Sequence, residues 1–250
     1  MRAAAATEEA LSRAQAAAAD EGLKGMIPFG RPFLDHVLHS LAGAGIREVG
    51  LVLGPEHDTV REYYSRLETR RLTISFVTQT EPLGTANAIL SAREWAGNDP
   101  FLTLNADNLY PVEVLRELAS RRACALPGFE PASLGLSDDR LGAFALVEHD
   151  ANGWLTRLIE KPGAETIRRR GEAALISMNV WRFDDRIFDA CRDVPLSSRN
   201  ERELPDAVNL AVARGVRFEV FRAQGPVLDL SRRADIGLVA RQLEGAVVNL

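Results

Sequence analysis

Apolar and polar positions along this chain exchange one period for another. Residues 31–45, "RPFLDHVLHSLAGAG", place apolar side chains at 33, 34, 37, 38 and 41, the spacing of one helix face, and stop on glycine. "REVGLVLG" (47–54) is apolar like a buried strand, "HDTVREYYSRL" (57–67) returns to helical spacing, and "LTISFVTQ" (72–79) is β-rich again. A helix beginning near Thr85, a strand over 100–106, a helix over 111–122 and a short strand or loop over 123–128 continue the exchange. Such alternation predicts βαβ units, and so a parallel sheet covered by helices.

Beyond residue 140 the pattern changes. "GAFALVEHDANGWLTRLIEKP" (142–162) holds two β-rich runs about Asn152-Gly153, the strongest short hairpin signal. A strand over 173–183, two helices, β-rich runs at 216–223 and 225–230 and a closing helix from about 232 follow. Residues 8–20, rich in Ala with Glu, Arg and Gln, read as helix. No linker, repeat or low-complexity tract divides the chain, so one domain over 1–250 is expected, parallel in its first part and mixed in its second.

Composition narrows the function without naming it. With 46% hydrophobic and 26% charged residues, 250 residues can bury a core without staples. A formal charge of −5 argues against nucleic acid as a bulk partner. Cys124 and Cys191 lie outside any C-x-x-C spacing and read as free thiols of a reducing compartment. Glu8 and Glu9 interrupt the Ala-rich start before a signal peptide forms, and no apolar run is long enough to span a membrane. The cytoplasm is the expected compartment.

Candidate chemistry lies at strand ends. "FLTLNADNLY" (101–110) runs apolar and then presents Asp107, and "GPVLDLS" (225–231) does the same with Asp229. Each carboxylate alone reads as a turn or cap; together, with phosphate oxygens and water, they suit Mg²⁺. Of 30 basic residues only Lys24 and Lys161 are lysine. Lysine is a compact charge on a flexible stem, suited to a phosphate that moves. "QTEPLGTANAIL" (79–90) is a strand end, a turn and a helix start; it reads as punctuation with Thr85 as cap, or as a loop whose Gln79 amide meets a base edge. His36 and His39 share a helix face without a third ligand, His57 and His149 read as loop or strand-end residues, and "IRRRGE" (167–172) as a solvated basic loop. G-x-S-x-G, P-loop and G-x-G-x-x-G motifs are all missing.

Taken in order, these stretches resemble the sugar-1-phosphate nucleotidyltransferases, or NDP-sugar pyrophosphorylases. "LKGMIPFGRPFLDHVL" is similar to that family's K-x-x-x-P segment, "QTEPLGTANAIL" to its base-binding loop, "LNADNLY" to its metal-binding strand end and "IEKP" to its sugar-phosphate clamp. "ISMNVWRF" resembles the S-M-G strand of glucose-handling members, with Asn179 where Gly is usual; "SRNERELPDAV" and "VLDLSRRADI" resemble its two closing segments. The likeness runs from 22 to 240. It implies a Rossmann-like three-layer α/β/α fold with a mostly parallel mixed sheet, of the nucleotide-diphospho-sugar transferase type. It also implies transfer of a nucleotidyl group from an NTP to a sugar 1-phosphate, with Mg²⁺ on Asp107 and Asp229.

The resemblance places Lys24 near the exchanged phosphates and Lys161 on the sugar phosphate. Gln79, Pro82, Leu83, Gly84 and Thr85 would form the nucleotide loop; Gly142, Glu160 and Ser177 would meet the sugar, Ser177 leaning toward glucose 1-phosphate. One departure stands out: the family opens with a strand and an L-x-A-G-x-G-T-R loop, and nothing before Lys24 resembles either. The expectation is a first strand missing ahead of the Ala-rich 1–22 segment, from a late start codon or a truncated gene. A catalytically impaired nucleotide or NDP-sugar sensor is therefore the alternative function. A cytidylyl- or guanylyltransferase acting on a non-sugar phosphate is a third class.

Overall fold

The computed structural model describes Gln15 and residues 23–250. Expectations for the N-terminal helix and the 1–22 segment lie outside the described residues, Gln15 excepted; its amide donates to the Pro28 carbonyl at 3.0 Å. Helices cover both faces of the sheet. On one face lie Phe33–Gly43, Val112–Ser120 and Asp235–Leu243. On the other lie Thr85–Ser91, Arg186–Asp193 and Leu204–Ala213. Strand residues alternate between the two apolar layers, as a period of two demands: Ala125 and Phe129 join the first, Cys124 and Leu126 the second. Three layers result, as expected.

The sheet corrects the expectation of a mostly parallel arrangement. Among the described residues only two pairings are parallel, Glu48–Leu53 with Thr73–Thr78 and Cys124–Phe129 with Phe218–Ala223. Val180–Phe183 enters antiparallel between Phe101–Leu104 and Cys124–Phe129, separating two strands that a simple βαβ reading makes neighbours. Ala145–His149 and Leu155–Ile159 form the antiparallel hairpin predicted at Asn152-Gly153. Period reveals which segments are strands; their order depends on contacts between residues far apart in the chain, which period does not carry.

The 173–183 run is likewise not one strand. Ile176–Ser177 and Val180–Phe183 are separated at Asn179, whose φ is +58°. Asn tolerates that left-handed conformation better than most side chains. Residues 123–128, read as a short strand or loop, contribute to the fully buried strand Cys124–Phe129 despite Pro127 and Gly128. The registers Ala125↔Arg182 and Phe129↔Ile176 leave Pro127 opposite the break at Asn179, where the ladder is already interrupted. "IRRRGE" is the end of the helix Ala164–Arg170 and a following turn rather than a loop, and Arg170 pairs with Glu148. The helix expected from Thr85 is broken at Ala92.

Both cysteines are free and buried, and burial pushes the Cys124 thiol up to about 11 and the Cys191 thiol up to about 12. Neither is a thiolate at neutral pH. The helix Phe33–Gly43 is anchored by a polar network. Fully buried Asp35 accepts hydrogen bonds from Arg31 Nε at 2.6 Å, Tyr64 Oη at 2.8 Å and Tyr63 Oη at 3.1 Å. Two of these bonds tie it to the helix Asp58–Arg66. Removing the carboxylate leaves the buried Tyr64 hydroxyl without its acceptor. Asp35→Ala should therefore lower unfolding free energy by about 3 kcal/mol, read from urea denaturation midpoints, with Asp35→Asn losing less.

Candidate active site

The antiparallel registers bring strand ends together at the break at Asn179. Ser177 pairs with Ala145, three residues after Gly142, and Leu146 pairs with Ile159, just before Glu160. Beyond the Asn179 kink, Val180 pairs with Leu104, three residues before Asp107. Asp229 pairs with Asn108, and the Leu230 N–H donates to the Asp107 carbonyl at 3.0 Å. Thus Asp107 and Asp229 lie side by side beyond the break, with Gly142, Glu160, Lys161 and Ser177 on its other side.

Lys24 completes the carboxylate corner: its Nζ lies 3.1 Å from Asp107 Oδ2, and both side chains stay partly accessible. Asp229 is more enclosed. It accepts from Arg140 Nη2 at 2.6 Å and Asn108 Nδ2 at 3.3 Å, and from the Ser231 hydroxyl. Arg140 also holds Asp235 at 2.8 Å. Tyr110, buried beneath, donates its hydroxyl to the Met178 carbonyl at 2.5 Å. Desolvation, then the charges of Asp107 and Asp229, raise its pKa well above the usual phenol value, so it stays a donor.

The donor set can hold a hard cation in part. Among the described residues no group of three or more His, Cys, Asp or Glu is arranged for a metal. Asp107 and Asp229 offer two carboxylates, Asp107 with an accessible face, and the remaining ligands of a magnesium ion would come from phosphate and water. The histidines do other things. His36 Nε2 meets the Phe29 carbonyl, His39 Nδ1 the Asn249 carbonyl, and His57 Nδ1 accepts from the Gly54 N–H.

The 79–90 loop is bound to the rest of the protein more firmly than its sequence suggests. The Gln79 amide donates to Gly84 O at 3.1 Å and Asn87 Oδ1 at 2.9 Å, so it braces the loop. Gly84 has φ +93°, and a Cβ there would lie 2.7 Å from the Arg202 carbonyl. Leu83 O accepts from the Arg202 N–H, and Thr85 Oγ1 accepts from the Leu204 N–H. Thr85 therefore serves the start of another helix rather than capping its own; Gly84 occupies the cap. Pro82 stands exposed at the tip.

On the sugar side, Gly142 meets the Gly163–Ala164 backbone so closely that a Cβ would sit 2.5 Å from the Ala164 nitrogen. Gly163 N–H donates to Gly142 O at 3.1 Å, fixing the turn that follows exposed Lys161. Ser177 is buried. Arg140 and Asn108 were not singled out in the sequence. Arg140 is one arginine among many, and its only signal is its place two residues before Gly142.

The chain is similar to several known proteins. The model of the family described as nucleotidyl transferase matches residues 20–230. The low-salt glycan biosynthesis nucleotidyltransferase Agl11 of Haloferax volcanii is 28% identical over 225 residues, covering 89% of this chain and 60% of that protein. The UTP–glucose-1-phosphate uridylyltransferase AglF of the same organism is 26% identical over 216 residues, 85% of this chain and 84% of its own. The bifunctional protein GlmU of Methanococcus vannielii is 28% identical over 74% of this chain, which spans 41% of that relative's length. In three dimensions, a UDP-glucose pyrophosphorylase complexed with UDP-glucose superposes with a TM-score of 0.73 at 18% identity, over 90% of this chain and 91% of that one. With its strand-end carboxylates and both lysines inside the matched region, this chain belongs to the nucleotidyl transferase family.

Proposed function

We propose that the protein transfers a nucleotidyl group from an NTP to a sugar 1-phosphate and releases pyrophosphate. The observation that supports this most is the convergence on the Asn179 break: a carboxylate pair and Lys24 on one side, Gly142, Glu160, Lys161 and Ser177 on the other. Joining two phosphorylated anions requires cations between them and in-line positioning, and no protein nucleophile. Lys24 would face the triphosphate and Lys161 the sugar phosphate. Mg²⁺ on Asp107 and Asp229, when bound, supplies charge neutralisation at the phosphates. Gln79 to Thr85 would frame the base, with the Gln79 amide holding the loop and the loop backbone meeting the nucleotide.

Glu160 fits a hydroxyl acceptor. Partial desolvation, then the charges of Glu203 and Asp206, raise its pKa above the ordinary carboxylate value, while Lys161 and Arg199 oppose the shift. Glu160 is exposed at its strand end, where sugar hydroxyls could donate to it. A second reading, a sensor with impaired catalysis, draws on one observation: Arg140 already holds Asp229.

Asp107→Asn should cut turnover about 100-fold or more in a pyrophosphate-release assay with Mg²⁺ and a panel of NTPs and sugar 1-phosphates. Lys161→Ala should mainly raise KM for the sugar phosphate. Nucleotide binding with no turnover in the parent would favour the sensor, and full activity in Asp107→Asn would remove Asp107 from the catalytic site. Glu160 gives a pH signature: its raised folded pKa means that stability falls as pH climbs from the unfolded value through the folded one. Glu160→Gln should melt higher than the parent at pH 8, with the gap closing toward pH 5.

A further inference from the structure

Lys161 has a backbone conformation that its side chain does not favour. Its φ is +47°, in the left-handed region that glycine and asparagine enter readily and lysine does not. Such a conformation persists where the segments on either side leave the chain no alternative. After Lys161 the anchor is the turn in which the Gly163 N–H donates to the Gly142 carbonyl at 3.1 Å. Before it the anchor is a side chain. Asn209 Oδ1 accepts from the Leu158 N–H at 2.8 Å, and Asn209 Nδ2 donates to the Leu158 carbonyl at 3.0 Å.

That pair of bonds imitates a strand. Among the described residues Leu155–Ile159 is laddered to Ala145–His149 alone, at the end of its sheet. A primary amide, like a peptide group, offers both a carbonyl and an N–H, and so can meet both polar groups of one residue on an open strand edge. Asn209 does this from the helix Leu204–Ala213, at a residue whose burial would make an unpaired N–H and carbonyl costly. Glu160 and Lys161 follow directly along the same strand. We propose that Asn209 is a positioning residue for the sugar-phosphate clamp. It fixes the strand end from which Glu160 and Lys161 project, and so holds Lys161 in its left-handed conformation. The same helix starts at Leu204, whose N–H donates to Thr85 Oγ1 at 2.9 Å. At helical rise that point lies roughly 7.5 Å along the axis from Asn209, so one rigid element spaces the candidate nucleotide loop from the clamp. What the clamp binds rests on the transferase reading; the clamp's anchoring does not.

Asn209→Leu removes both bonds at similar volume, and Asn209→Asp keeps the acceptor but sets a carboxylate against the Leu158 carbonyl. Both are assayed in the intact chain by pyrophosphate release with Mg²⁺, glucose 1-phosphate and either UTP or dTTP. Asn209→Leu should raise KM for glucose 1-phosphate about tenfold and leave KM for the NTP within about twofold. Asn209→Asp should give a rise of about threefold, and it carries the comparison if Asn209→Leu does not fold. In Lys161→Ala the same substitutions should have almost no further effect, because a residue that acts through Lys161 then has nothing to position. An equal rise in both KM values, or an undiminished rise in Lys161→Ala, would make Asn209 a stability residue only; the proposal would fall and the transferase reading would stand. A parent without turnover counts against the transferase reading, and calorimetry with UDP-glucose and dTDP-glucose then decides about Asn209. Binding about tenfold weaker in Asn209→Leu, but unaltered by it in Lys161→Ala, would uphold the proposal. Equal binding by parent and Asn209→Leu, or no binding by the parent, would overturn it.

Discussion

The bond from the Tyr110 hydroxyl to the Met178 carbonyl holds the site together. It fixes the backbone where the 176–183 run breaks, and that break lets one segment serve two neighbourhoods. Before it, Ser177 sits beside Ala145 on the sugar side; after it, Val180 sits beside Leu104 on the carboxylate side. A straight strand could not pair with both. The phenol suits this task because its surroundings keep it protonated: burial and two nearby carboxylates both oppose its ionisation. The charges that would handle phosphate thus also secure the donor that places them.

Much of this was legible in the sequence, and for physical reasons. Apolar runs ending in Asp107 and Asp229 marked strand ends because a carboxylate rarely follows a buried run without a use or a turn. Scarcity of lysine drew attention to Lys24 and Lys161. Asn152-Gly153 marked its hairpin because few residues adopt the required conformation. Strand order was not legible. The insertion of Val180–Phe183 between two earlier strands is a contact across nearly eighty residues, and it turns an expected parallel sheet into a mostly antiparallel one.

Side-chain engagement was also hidden. Gln79 looked free to read a base and instead braces its own loop; Thr85 looked like a cap and instead serves Leu204. Arg140 carried no local mark, yet it joins Asp229 to Asp235 and restrains the more buried carboxylate. A buried arginine between two acids is held by geometry more than by net energy, since desolvation offsets much of the attraction. It sets the direction in which Asp229 points, leaving Asp107 as the more accessible of the two.

The separation of the 48–53/73–78 pair from the seven-stranded sheet has a mechanical meaning. Among the described residues no backbone ladder crosses between them, and side-chain packing with the Lys24–Asp107 contact bridges the gap. Ladders resist shear because each bond is directional and short; packed apolar surfaces slide at lower cost. The two blocks share one apolar core and meet along a seam of packed side chains. The 79–90 segment leaves the smaller block at Gln79 and is hydrogen-bonded to Arg202 and Leu204 on the larger, so the candidate nucleotide loop is itself the strap across the seam.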